Sequence, residues 1–177
     1  SRSRGLGDVY KRQALDLLME RDVPVVPALY FEEVSVKRGP EFGLPQAVID
    51  GHQETLEGGA ESVRKILDVG GRLGMGGDYG FAWNPHGDYA KELAFFVDYV
   101  GLDPLTVLKC ATRTGSEILG RSEELGTLEA GKLADVLVVD GNVPEDIALL
   151  QKREKFIAVI QGGKIKSGQL ASSVAPT

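Results

Sequence analysis

Arg72-Leu73-Gly74-Met75-Gly76-Gly77-Asp78-Tyr79-Gly80 is the stretch on which the reading of this 177-residue chain turns. A short apolar run ends in glycines and a carboxylate. Just before it, Gly70-Gly71 close a helical pattern that runs from Pro45 to Val69. Leu44, Val48, His52, Leu56, Val63, Ile66 and Leu67 recur there near helical spacing, and Pro45 suits a first turn. Gly58-Gly59 predict either a kink or a close packing contact in the middle of that helix. Further upstream, Val23-Pro24-Val25-Val26-Pro27-Ala28-Leu29 has the valine-rich composition of a strand buried on both faces, with prolines near its ends. Ala14–Arg21 is a short helical pattern, and Tyr30–Leu44 reads as a loop holding Tyr30, Phe31 and Phe42. Helix, strand, helix, strand predicts an α/β protein with a parallel sheet and crossover helices.

Downstream, Tyr79–Gly87 is a loop and Asp88–Val100 a helix. Asp103-Pro104 reads as an N-cap followed by proline in the first turn, opening a helix to about Arg113. Thr114 is expected to cap another helix that ends at Gly120. The pattern changes near Arg121. Strands are predicted at Ala134–Val139, Phe156–Gln161 and Lys164–Lys166, the last two joined by Gln161-Gly162-Gly163-Lys164, a two-residue hairpin turn. Asn142–Arg153 is a turn with one helical piece. The end of the chain is small and polar, and 169–177 reads as a flexible tail.

Composition narrows the function classes. A net charge of −6 argues against nucleic acid as a partner. No apolar run approaches the ~18 residues of a membrane span, so no membrane partner is expected. The single cysteine, Cys110, excludes an internal disulfide and lies within a helical pattern, where a small buried residue is the expected role. The first thirteen residues, SRSRGLGDVYKRQ, carry four basic side chains against one acid and no apolar signal region. They resemble a leader seen on translated environmental sequence assemblies, so 1–13 is set apart from the fold. A basic arm for an acidic partner is the alternative. A cytoplasmic location is the expectation.

Asp78 is the leading site candidate. Parallel-sheet proteins bind ligands beyond the carboxyl ends of their strands, and a carboxylate there suits metal binding or proton transfer. A turn residue capping the next element is the plain alternative. The glycines around it lack the spacing and the lysine of a phosphate-binding loop. His86, in Asn84-Pro85-His86-Gly87, either contacts substrate or makes a turn hydrogen bond. Tyr79, Phe81 and Trp83 either wall a ligand site or serve packing. His52 sits on the apolar stripe of its helix and reads as structural rather than as a ligand.

Three passages together resemble the amidohydrolase superfamily, in its imidazolonepropionase-like and dipeptidase-like branch. They are Gly76-Gly77-Asp78-Tyr79-Gly80 with Pro85-His86-Gly87 and Glu92-Leu93; Gly101-Leu102-Asp103-Pro104-Leu105 with Ala111-Thr112 and Ile118-Leu119-Gly120; and Gly126–Gly141 with Val159-Ile160-Gln161-Gly162-Gly163-Lys164. The resemblance implies the C-terminal portion of a (β/α)8 barrel over 14–121, with Val23–Leu29 as strand seven and Arg72–Gly77 as strand eight. The C-terminal strands of a small β-sandwich would follow over 122–168. It implies hydrolysis of C–N bonds in small amides or dipeptides, with Asp78 as metal ligand and catalytic proton acceptor. His86, Tyr79 and Trp83 would contact substrate. One or two divalent ions, zinc by expectation, come with it. The other ligands of the family, including a His-x-His, have no counterpart here, and the residue before Asp78 is Gly77 where the family usually has threonine. The chain is therefore expected to be an inactive fragment that holds no metal firmly by itself. Its partner would be the missing N-terminal part of the same barrel, and a homo-oligomer is left open. The alternative is a complete small α/β protein that binds a ligand or partner through the Tyr79–His86 loop without catalysis.

Overall fold

The three strands expected after Arg121 form, but the two expected in the first half do not, so the helical part of the chain comes first and the strands last. The structure, a computed structural model, describes residues 6–172. Its helices are α1 (Leu6–Glu20), α2 (Leu29–Arg38), α3 (Gln46–Asp68), α4 (Tyr89–Asp98), α5 (Pro104–Lys109) and α6 (Gly115–Ile118). Its strands are β1 (Val136–Val139), β2 (Phe156–Gln161) and β3 (Lys164–Ser167). α1 begins inside the segment set apart as a leader; residues 1–5 of that segment and 173–177 of the tail lie outside the described residues. No helix among the described residues is long and apolar enough to cross a membrane.

The two runs expected as parallel strands meet through one residue each. Val25 bridges Leu73 in parallel. The Val25 N–H donates to the Arg72 carbonyl at 2.9 Å, and the Gly74 N–H donates to the Val25 carbonyl at 2.8 Å. The next donor of this ladder would be residue 27, and Pro27 supplies no N–H, so the ladder cannot lengthen on that side. Arg72 holds the crossing in place. Its guanidinium donates to the Asp22 carboxylate at 2.9 Å, the Asp22 carbonyl at 2.5 Å and the Glu117 carboxylate at 3.0 Å.

The segment expected as a loop from Tyr30 is instead α2, followed by a 3-10 turn at Gly39–Phe42. Leu29, Tyr30 and Val34 are its buried face. The aromatics that suggested a loop are packing residues, and a Glu33–Lys37 ion pair one turn apart lies on the helix surface. α3 runs unbroken through Gly58-Gly59. A methyl group at Gly59 would lie 2.3 Å from Leu29 Cδ2, whereas nothing stands within 4 Å of one at Gly58. Gly59 thus permits the close approach of α2, which settles the choice between contact and kink.

Asp103 caps α5 by accepting the Thr106 N–H at 2.9 Å, as predicted. The expected break at Thr114 is absent. A wide π turn, Cys110–Thr114, carries α5 directly into α6. The core gathers side chains from α2, α3, α4 and α5: Phe96 and Val107 are fully buried, and Leu73, Val63 and Val100 nearly so. Ile147, on a 3-10 turn at Ile147–Gln151 that packs on α4, joins the same cluster.

The sheet is antiparallel in the order β1-β2-β3. Gly162 and Gly163 take φ of 55° and 75°, the left-handed geometry of the predicted hairpin turn. Asp135 accepts the Gly162 N–H at 2.7 Å, and the Gly163 N–H donates to the Ala134 carbonyl at 3.0 Å. The Ala134-Asp135 pair and the distant Gly162-Gly163 pair are therefore one hydrogen-bonded unit. Residues 169–172, expected to fray, form a 3-10 turn in which Gln169 donates to the Glu154 carbonyl at 2.9 Å.

The glycine pair in α3 gives a test with an internal control. Gly58→Ala should stabilise the chain by about 1 kcal/mol through helix propensity alone. Gly59→Ala should lose that gain and cost about 1–3 kcal/mol through overpacking against Leu29. Urea unfolding of the two variants reads the difference, and equal effects would contradict the packing.

Candidate functional site

Beyond the Val25–Leu73 bridge the chain runs through Met75, Gly76 and Gly77 to Asp78. A cavity of about 490 Å³ lies beside this segment, lined by Met75, Gly76, Gly77 and Tyr79, by Glu92 of α4 and by Leu137 of β1, among others. Glu92 is only 3% exposed. One carboxyl oxygen accepts the Gly76 N–H at 3.3 Å, and the other accepts the Tyr79 hydroxyl at 3.5 Å. Both bonds are long, so they stabilise the ionised form weakly. Burial outweighs them and pushes the Glu92 carboxyl up to about 7. The Tyr79 hydroxyl is raised well above its ordinary value, first by burial and then by the charge of Glu92. Its ring meets Tyr89 edge-on, with centroids 4.7 Å apart.

The residues singled out from sequence separate in space. Asp78 is exposed; its neighbours Gly77 and Tyr79 line the cavity but Asp78 does not. Its carbonyl accepts the Asn84 side-chain N–H at 2.7 Å, and Asn84 is 1% exposed. The Gly80 N–H returns to the Asn84 carbonyl at 2.9 Å, and the Asn84 N–H donates to the Phe81 carbonyl at 3.0 Å, which closes the loop. Trp83 points its indole N–H at Ser35 of α2, 3.0 Å away, and packs with Phe31, Phe42 and Phe81. His86 is exposed and shares a 3.2 Å hydrogen bond with the Tyr89 hydroxyl. Tyr79 alone of the named candidates lines the cavity.

His52 pairs with Glu32 of α2 at 2.5 Å, with its ring edge-on to Phe31, the structural role expected for it. Cys110 is buried in the core, and burial pushes its thiol up. Among the described residues, no three of the His, Cys, Asp and Glu side chains are grouped so as to hold a metal ion.

Glu92 and Asn84 lie in stretches that the sequence marks out, but the sequence gives neither residue a role of its own. Glu92 stands three and four residues before Phe95 and Phe96, on the buried face of α4. A carboxylate on an apolar helical face is the signal that could have found it. Asn84 precedes Pro85 and reads only as turn chemistry. Its burial comes from the fold.

Glu92 makes stability depend on pH in a defined direction. Its folded value near 7 exceeds its ordinary 4.5, so between those values the folded chain binds more protons than the unfolded one. Its contribution is full below 4.5 and is lost as pH rises through 7, by about 3 kcal/mol. Urea unfolding across this range should show that slope in the natural chain and its removal in Glu92→Gln. Parallel curves for the two proteins would overturn the assignment.

The chain is similar to several known proteins. Ochratoxinase of Aspergillus niger is 32% identical over 124 residues, which cover 70% of this chain and 24% of that protein. Imidazolonepropionase of Symbiobacterium thermophilum is 32% identical over 80 residues, 43% of this chain and 18% of its own length. In three dimensions, a prolidase crystallised with N-methylphosphonate-L-proline superposes with a TM-score of 0.77 at 28% identity, covering 89% of this chain and 38% of the prolidase. The chain thus spans a quarter of the curated relative it matches over most of its length, and just over a third of the solved one. Residues 17–166 match the family model of the amidohydrolases, and the chain belongs to that family.

Proposed function

We propose that the intact protein hydrolyses C–N bonds in small amides or dipeptides, and that Asp78 accepts the proton of the attacking water. The observation that carries this reading is the place of Asp78, an exposed carboxylate just past a parallel-bridged run, in a chain that matches the amidohydrolase family over 17–166. Water attacks the carbonyl carbon, Asp78 takes its proton, and the same proton passes to the departing nitrogen as the C–N bond breaks. Ochratoxinase, imidazolonepropionase and prolidase among the similar proteins support a C–N substrate. Tyr79 is the substrate contact best supported, because it lines the cavity. His86 and Trp83 are kept as loop contacts that a bound substrate would meet.

In this reading Val23–Leu29 and Arg72–Gly77 correspond to barrel strands seven and eight, and 122–168 to part of a sandwich. Residues outside this chain supply the remaining strands. Val23 and Val26, on either side of the bridge, are 48% and 46% exposed, and among the described residues β1 is an edge strand with Leu137 and Val138 exposed. Such faces fit burial by neighbouring strands. A divalent ion, zinc in one or two copies, belongs to the proposal for the intact protein. The described residues of this chain do not make such a site alone. Asp78 would be one ligand of a site completed elsewhere.

The 177-residue chain with zinc added should hydrolyse no amide or dipeptide above the buffer rate. A longer coding sequence with an upstream His-x-His should be active. Asp78→Asn in that longer protein should lower kcat by about 10²–10⁴ with little change in KM. Turnover by the 177-residue chain alone, or full activity of the variant, would overturn the proposal.

A further inference from the structure

We propose that Asn84 and Glu92 are positioning residues that clamp the Gly76–Tyr79 segment from both ends and so set the direction of the Asp78 carboxylate. The need for a clamp is written in the chain. Gly74, Gly76 and Gly77 give the approach to Asp78 little intrinsic stiffness. A reacting group displaced by ~1 Å can lose ~10²-fold in rate, so a carboxylate carried on glycines has to be fixed by something else.

Asn84 grips the far end. Its side-chain N–H reaches the carbonyl of Asp78 itself at 2.7 Å, and the side chain is almost wholly buried. Asn84 is in turn fixed by its own main chain, through Gly80 and Phe81. Glu92 holds the near end by accepting the Gly76 N–H at 3.3 Å, and its other oxygen shares the Tyr79 hydroxyl with the Tyr89 carbonyl, each 3.5 Å away. Its helix is anchored by Phe95 and Phe96 in the core, so the loop is referred to the most rigid part of the fold. Neither residue is needed to fill space with a polar group. An apolar side chain would bury at lower cost in either place, and a buried carboxylate with long hydrogen bonds is expensive. The titratable groups facing Glu92 are Tyr79 from the loop and Tyr30 from α2. Both hydroxyls are raised by burial, Tyr30 to about 12, so neither ionises where Glu92 does.

This inference rests on the reading of Asp78 as proton acceptor, but its test reads main-chain geometry and needs no turnover. The 177-residue chain is isotope-labelled, and amide hydrogen exchange and chemical shifts are followed by NMR at Gly76–Gly80, with β1–β3 as reference. Glu92→Leu and Asn84→Ala should each speed exchange in Gly76–Gly80 by about tenfold while the strands keep theirs. Glu92→Gln, which retains an acceptor oxygen, should restore slow exchange. The Gly76 amide shift should titrate with the Glu92 carboxyl, near 7, in the natural chain and not in Glu92→Gln. Unchanged exchange at Gly76–Gly80 in Glu92→Leu, or loosening spread equally over the strands, would make these residues packing only. Should the variants fail to fold, the natural chain decides alone: amide exchange at Gly76–Gly80 as fast as in unstructured peptide overturns the clamp.

Discussion

A one-residue parallel bridge between Val25 and Leu73 places the rest of this structure. Leu73 is 1% exposed, and everything that follows it up to Asp78 is aimed by that crossing. The bridge is too short to hold by backbone hydrogen bonds alone, and Pro27 stands where its next donor would be. Arg72 supplies the reinforcement by joining the Asp22 turn to Glu117 at the end of the helical half. That guanidinium is part-exposed, so its electrostatic gain is modest. Its geometry matters more than its energy, since one planar fork fixes three parts of the chain at once.

Around the crossing, packing is tight where glycine permits it. Gly59 lets α2 lie against α3, and Gly126 lets the turn before the sheet pass Ser116, whose Oγ would sit 2.2 Å from an added methyl. Close approach of this kind trades chain stiffness for contact. The core then closes over Phe96 and Val107, and Ile147 joins the same cluster. The cavity lies beside the strand end, where Glu92 and Leu93 of α4 and Leu137 of β1 line it together.

The electrostatics of that meeting point follow from one misfit. Glu92 occupies a place on α4 where an apolar residue would be cheaper. Burial raises its carboxyl to about 7, and its two hydrogen bonds, both long, oppose that only weakly. Tyr79 feels the same charge and the same burial. Asp78, by contrast, stays in solvent with its main chain fixed by Asn84. Two carboxylates near one loop are thus given different environments by the fold, which is the usual way such groups come to differ in task.

The sequence by itself determined the long helix α3, the three C-terminal strands and their glycine hairpin, the Asp103 cap, and the family resemblance through Asp78 and the Gly126–Gly141 stretch. These are local features: period, turn chemistry and spacing act within a few residues, and they are readable without neighbours. Tertiary structure alone decided the remainder. It made a helix of the aromatic run after Leu29, because Tyr30 and Val34 found a core to enter. It shrank two strands to a bridge, ran α5 into α6, and turned Trp83 toward Ser35 rather than the cavity. It buried Glu92 and Asn84 around the Asp78 segment, which no spacing rule could state, because burial and hydrogen-bond partners are properties of chain segments brought together from a distance.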